Sequence, residues 1–206
     1  MKNPNIIIID YGIGNTHSVF NAIKYLGYSK IKISDNIQDI HNSDALILPG
    51  VGAFEACINN LKKRGIIPTL NEEVLIKKKP ILGICVGMQL LATSSEENGL
   101  HNGLDWIKGK VKKLELPNNL PIPHVGWNNT NINFDNPLIT NNKHTNFYFD
   151  HSYHFECDSK YVFAESSYGI RVTAGIQKDN IFGVQFHPEK SQVAGLKLFR
   201  GFLNSI

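Results

Sequence analysis

The sequence predicts an α/β fold, a mixed and mostly parallel sheet with helices on both faces and an antiparallel C-terminal portion. Three observations predict it. Short apolar runs such as Ile6–Ile9 are continuous rather than alternating, as in strands covered on both faces. Those runs alternate with segments of helical periodicity through the first half of the chain. Beyond residue 106, short strand patterns follow one another across turns rich in Asn, Gly and Pro, which marks antiparallel pairing. At 206 residues, 42% of them hydrophobic, the chain has room for a sizeable core in a single domain, 1–206.

Ile6–Ile9 opens the chain as a buried strand. Val19, Phe20, Ile23 and Leu26 then recur at helical spacing, and Gly27 closes that helix. Strands over 31–33 and 45–48 follow, then helices over 54–64 and 68–78, with Gly65 and Pro68 punctuating the gap. A strand over 81–84 leads into a helix starting at 88–92. Later strands are expected over 106–116, 147–149, 161–166, 171–176 and 181–186. Residues 128–146 are rich in Asn and poor in periodicity, and read as loop. Val193, Leu196, Phe199 and Phe202 set the apolar face of a closing helix over 191–203. No internal repeat or long linker divides the chain.

Composition excludes several function classes. The net charge is only +3 and the lysines are scattered apart from short runs at 77–79 and 112–113, without a zinc-finger or basic-helix signature, so nucleic acid is not expected as a partner. The first apolar run has four residues, whereas a signal peptide needs about 7–15 and a membrane span about 20. Cys57, Cys85 and Cys157 form neither a paired framework nor a zinc knuckle, and an odd, low count fits a reducing cytosol. His151 and His154 are the one close histidine pair, and no Cys or carboxylate set completes them. No metal and no cofactor are expected.

Cys85 sits between two glycines in Gly-Ile-Cys-Val-Gly over 83–87, where a buried strand meets a helix. This is the cysteine form of a nucleophile elbow: the turn strains the central residue, and small neighbours let strand and helix approach. A helix N-terminus beside the sulfur favours the thiolate, which is the reactive form. The bland reading is an inert core thiol, and Cys57 and Cys157 keep that reading. His187 and Glu189 flank Pro188 just past a strand; in extended backbone, residues two apart face one way, so the pair can serve as base and orienter. Both segments end strands, where sites of open α/β sheets lie. Residues 45–54 form a third strand end, a loop whose Gly50 and Gly52 permit outward-facing amides able to hold an oxyanion. It lacks the endings of nucleotide-binding loops. A second Gly-rich turn, Asp10 to Asn15, reads as a structural turn feeding a capped helix.

Gly-rich amides, Cys and His-x-Glu in that order resemble the class I (triad) glutamine amidotransferases. The matching stretches run nearly end to end: 9–15, 48–54 (Leu-Pro-Gly-Val-Gly-Ala-Phe), 82–91, 95–97, 123–128 (Pro-His-Val-Gly-Trp-Asn), 151–153 and 183–191. Within that family they are most similar to glutaminase subunits that feed ammonia to a separate cyclase subunit in histidine biosynthesis. The resemblance implies that Cys85 attacks the glutamine amide, His187 acts as base and then acid, and Glu189 orients the imidazole. It implies an oxyanion site at the amides of Val51, Gly52 and Val86. It assigns glutamine binding to Gln89, Glu97, His151, Ser152 and Tyr153, although a structural role for His151 is an equal reading. The partner implied is a (β/α)₈-barrel cyclase in a heterodimer, with Trp127 and Lys190 at the docking face. Departures from the family pattern at Thr16 and His17, at Asp150, and at Asp105 to Ile107 are expected to bear on partner fit and not to touch the triad. Look-alikes that supply ammonia for nucleotide-sugar amidation are the main alternative; a γ-glutamyl hydrolase and a noncatalytic binding module are further ones.

Overall fold

The computed structural model describes residues 3–117, 120–139 and 144–206, with the side chain of His144 excluded. In chain order the elements are β1 (Ile6–Ile9), α1 (Thr16–Tyr25), β2 (Ile31–Ser34), α2 (Ile37–Asn42), β3 (Ala45–Gly50), α3 (Phe54–Lys63), α4 (Ile67–Asn71), β4 (Ile81–Cys85), α5 (Val86–Gln89), β5 (Ser94–Ser95), β6 (His101–Asn102), β7 (Gly109–Lys113), β8 (His124–Ile132), β9 (His144–His151), β10 (Tyr153–Cys157), β11 (Val162–Tyr168), β12 (Ile170–Lys178), β13 (Ile181–Val184) and α6 (Gln192–Asn204).

Among the described residues, nine strands form one sheet in the order β2-β1-β3-β4-β13-β12-β11-β8-β9. The half from β2 to β13 is parallel and the half from β13 to β9 antiparallel. β13 is the hinge strand, parallel to β4 with Ile181 opposite Ile81, and antiparallel to β12. A second sheet pairs β10-β7-β5-β6. β1, β3, β4 and β13 are buried at every position, which is why they read as unbroken apolar runs. The core joins them to Val19 and Ile23 of α1, Phe54, Ile58 and Leu61 of α3, and Leu198, Phe199 and Phe202 of α6. Among the described residues no helix is long and apolar enough to cross a membrane.

The structure differs from the sequence reading at identifiable places. Residues 128–132 and 144–146, expected as loop, belong to β8 and β9; residues 140–143 of that expected loop lie outside the described residues. β8 does alternate, but polar Asn128 and Thr130 occupy inward positions, and ladders to both β9 and β11 hold the strand in place of an apolar face. The helix expected over 68–78 is α4 followed by one π turn over Glu72–Ile76, where Lys77 N–H reaches back to Glu72 O. α5 is a single turn beginning directly after Cys85 rather than at 88. β7 begins at Gly109, and β13 stops at Val184. The short elements α2, β5, β6 and β10 carried too little periodicity to be read.

Candidate active site

β3, β4 and β13 are neighbours in the sheet, so their C-terminal ends bring three loops to one place. Cys85 closes β4 at φ 54° and ψ −114°, a strained conformation for a residue with a side chain. Packing enforces it. A Cβ on Gly87 would stand 1.8 Å from Leu48 O, one on Gly50 2.5 Å from Gly87 N, and one on Gly83 2.7 Å from Gly87 O. The elbow therefore closes only with glycine at these three positions.

His187 leaves β13 after two residues, and the turn over Pro188–Lys190 folds back, so Glu189 meets it through a tight bend rather than along an extended strand. His187 Nδ1 lies 2.8 Å from Glu189 Oε1, with both side chains buried. The bend is fastened to β9: His187 N–H donates to Tyr148 O at 2.8 Å, Tyr148 N–H to Ser191 Oγ at 3.0 Å, and Ser191 Oγ to His187 O at 2.6 Å. α6 presses on it from behind, since a Cβ on Gly195 would stand 1.8 Å from Pro188 O. The turn at 10–15, expected to be structural, takes part in the site. Asn15 makes no capping bond to α1, and its Nδ2 reaches Glu189 Oε1 at 3.4 Å.

Burial alone would lower the His187 imidazole, but hydrogen bonds and charge from Cys85 and Glu189 outweigh it and raise His187 to about 10. A raised value stabilises the fold fully below the ordinary histidine value of about 6.5, and that contribution is lost as pH rises through about 10. Titration of the imidazole by NMR is expected to show protonation persisting to about pH 10, with Glu189→Gln moving the transition down by about one unit or more. A wild-type transition near pH 6.5 would contradict it.

Val51, Gly52, Cys85, Val86, Gln89, Glu97, His151, Ser152, Tyr153, His187 and Lys190 line one cavity of about 340 Å³, which Pro123 and Asp150 complete. Glu189 stands behind His187, outside the lining. The loop after β3 is held from its rear, with Tyr11 Oη donating to Pro49 O at 2.7 Å and Cys57 Sγ to Val51 O at 3.4 Å. Gly52 takes φ 79° there. Burial pushes the Cys57 and Cys157 thiols up to about 11, which suits inert core thiols. Glu97 Oε2 accepts the N–H of Phe54 at 2.8 Å and so caps α3. Gln89 is buried, and its Nε2 donates to Tyr153 O at 2.9 Å and to Gln185 Oε1 at 3.0 Å.

Three residues near the cavity carried no site assignment in the sequence. Gln185 is fully buried, with its Nε2 at 3.8 Å from Cys85 Sγ. Asp150 was expected to stay clear of the triad, yet its carbonyl oxygen lies 3.9 Å from Cys85 Sγ, because β9 passes over the elbow. His124 stacks between Tyr168 and Phe149 and places Nδ1 2.8 Å from His151 Nε2. Only the Pro-His-Val-Gly-Trp-Asn stretch hinted at it. His151 Nδ1 donates to Tyr153 O, so with both rings neutral its Nε2 accepts and His124 Nδ1 donates. Burial lowers His124 to about 4 and His151 to about 3. Here the unfolded chain binds protons that the folded one refuses, so stability falls as pH drops from about 6.5 toward 4, at about 1.4 kcal/mol per pH unit per histidine. Urea unfolding over that range should show this slope, flattened by about one proton in His124→Asn; an unchanged slope would count against the neutral pair.

Outside the cavity lining, Trp127 is 48% exposed and packs edge-on to Tyr148 at 6.3 Å. Lys190 Nζ stands 5.4 Å over the Tyr148 ring and 3.9 Å from Asp150 Oδ2. Of the other departures from the family pattern, Trp106 is buried with Nε1 bonded to Asn71 Oδ1, which removes it from any docking surface, while His17 is exposed. Away from the cavity, His41, Glu72 and Glu73 gather within metal-ligand reach, but Lys77 and Lys79 already pair with the Glu73 carboxylate at 2.7 Å.

The description "Glutamine amidotransferase class-I" belongs to a family model that matches residues 7–205. The chain is 48% identical over 202 residues to imidazole glycerol phosphate synthase subunit HisH 2 of Vibrio vulnificus, covering 97% of this chain and 94% of that one. It is 47% identical over 199 residues to subunit HisH 1 of Campylobacter jejuni, covering 96% and 98%. In fold it is similar to the solved structure of PurLQS from Thermotoga maritima, with a TM-score of 0.74 at 18% identity and 99% of each chain covered.

Proposed function

The chain belongs to the class I glutamine amidotransferase family, and we propose that it is the glutaminase subunit of imidazole glycerol phosphate synthase, acting in histidine biosynthesis. It is a glutamine-hydrolysing enzyme built as one domain over 1–206. The observation that carries the reading is the convergence of Cys85, His187 and Glu189 at the ends of β4 and β13, beside a cavity that faces the Gly-rich loop after β3. In the mechanism these groups support, His187 holds the proton taken from Cys85, and the sulfur attacks the side-chain amide carbon of glutamine. The amides of Val51, Gly52 and Val86 hold the oxyanion that forms. His187 then returns the proton to the leaving nitrogen, the C–N bond breaks, and ammonia departs from a thioester. Water, deprotonated by the same imidazole, attacks the thioester, and glutamate and the thiol are released. Glu189 keeps the imidazole turned and its charge balanced, as Asp does in a serine triad.

Ammonia lost to water is wasted, so the cavity mouth must be covered by the enzyme that consumes it. Exposed Trp127 and the cavity-lining Lys190, which both pack on the half-buried Tyr148 ring, support docking of a cyclase subunit there. We take the partner to be a (β/α)₈ barrel and the complex a heterodimer in the cytoplasm, where the three free cysteines stay reduced. Gln89 and Glu97 spend part of their hydrogen-bonding capacity on the protein itself, so they shape the glutamine pocket as well as touching its ligand. The test is glutamate release by the purified chain, alone and with the cyclase and its ribonucleotide. Strong stimulation by the pair is expected. No stimulation with a cyclase shown to be active on free ammonia would overturn the histidine assignment and point to nucleotide-sugar amidation.

A further inference from the structure

We propose that Gln185 is a further catalytic residue, which holds a side-chain N–H against the Cys85 sulfur and favours the thiolate for attack. The inference rests on the reading of Cys85 as the nucleophile. Gln185 follows β13 directly, is fully buried, and is fixed by its own N–H to Ala174 O at 2.9 Å. The orientation of its amide follows from its neighbours. A backbone carbonyl can only accept, so the end of Gln89 that meets Tyr153 O at 2.9 Å is the nitrogen. The same nitrogen meets Gln185 at 3.0 Å, so the atom facing it is the acceptor Oε1. The remaining end of Gln185, its Nε2, is thereby turned to Cys85 Sγ at 3.8 Å. Reversing either amide would set two donors or two acceptors face to face.

The other neighbours of the sulfur give this donor its purpose. Asp150 O, at 3.9 Å, accepts from the thiol and so favours the protonated form. With that proton on His187 Nε2, the carbonyl faces a negative sulfur and opposes it. Gln185 Nε2 is the buried N–H that offsets the opposition, and in a dry pocket a donor aimed at an ion counts for more than in water. The chain of bonds runs further: Tyr153 O also takes the Nδ1–H of His151, whose Nε2 takes the Nδ1–H of His124 on β8. The amide that faces the nucleophile is thus aligned from the strand that carries Trp127.

The test is alkylation of the full chain by iodoacetamide, a small carboxamide electrophile, followed at Cys85, Cys57 and Cys157 by mass spectrometry from pH 6 to pH 10. Wild type is compared with Gln185→Leu, which deletes the donor, and Gln185→Glu, which keeps the shape and reverses the polarity. The expected result is a Cys85 profile displaced to higher pH, with Leu about tenfold slower than wild type at pH 7 and Glu slower again, the three converging at high pH. Thermal unfolding shows which variants are folded, and the near-isosteric Glu variant carries the test if Leu is not. Profiles that superimpose on wild type, or that differ by the same factor at every pH, overturn the proposal while leaving the nucleophile in place. A wild-type Cys85 no more reactive than Cys57 and Cys157 overturns both.

Discussion

Cys85→Ala abolishes partner-stimulated glutamine hydrolysis, by about four orders of magnitude or more, while the variant still folds. The size follows from the mechanism: without the sulfur no thioester forms, and an oxyanion site with a base but no nucleophile retains only the modest catalysis of water held near a polarised amide. The fold tolerates the change because the strain at φ 54° belongs to the backbone, and alanine inherits it without adding atoms to a buried site. Glutamate release and thermal unfolding, measured on the same preparation with the cyclase present, check both halves. Hydrolysis within a hundredfold of wild type would remove Cys85 from the role given to it.

Gly87→Ala is expected to be among the most damaging single methyls in the molecule. The added carbon would stand 1.8 Å from Leu48 O and 2.9 Å from Leu48 C, and these are backbone atoms of a central strand with nowhere to go. Overpacking against a flexible side chain costs about 1–3 kcal/mol, so a rigid contact of this closeness belongs at or above the top of that range. For a chain of this size the loss corresponds to a fall of about 10 °C in Tm, or to failure to fold. Gly27→Ala is the control: φ is 92°, but nothing lies within 4 Å, so only backbone strain opposes it and the cost should be about 1 kcal/mol. Equal losses for the two would mean that the elbow is looser than its geometry.

Much of this was readable in the residues because burial on both faces leaves an unmistakable trace. Four strands of the parallel half announce themselves as apolar runs, and the glycines on either side of Cys85 record a clearance that no larger residue fits. The antiparallel half was harder, because β8 buries His124 and Thr130, and His124 finds its partner in His151, 27 residues away in the chain. A polar strand of that kind has no hydrophobic period to find. The turn over 10–15 reads as structural on local grounds, because the engagement of Asn15 with Glu189 spans 174 residues. Gln185 was invisible for the same reason: the meaning of a buried amide lies in the atoms it faces, and those come from β4 and α5.

The place of β13 has a consequence for the life of the chain on the ribosome. Synthesis runs from the N-terminus, yet the strand that fills the gap between β4 and β12 comes after every other described strand of the sheet. Until residues 181–184 emerge, the two halves of the sheet have no common member, and the cysteine exists without its imidazole. Contacts spaced by a hundred residues form slowly, so assembly of this sheet awaits β13. A chain that stops short of β13 therefore carries the thiol without the imidazole that the folded site sets beside it.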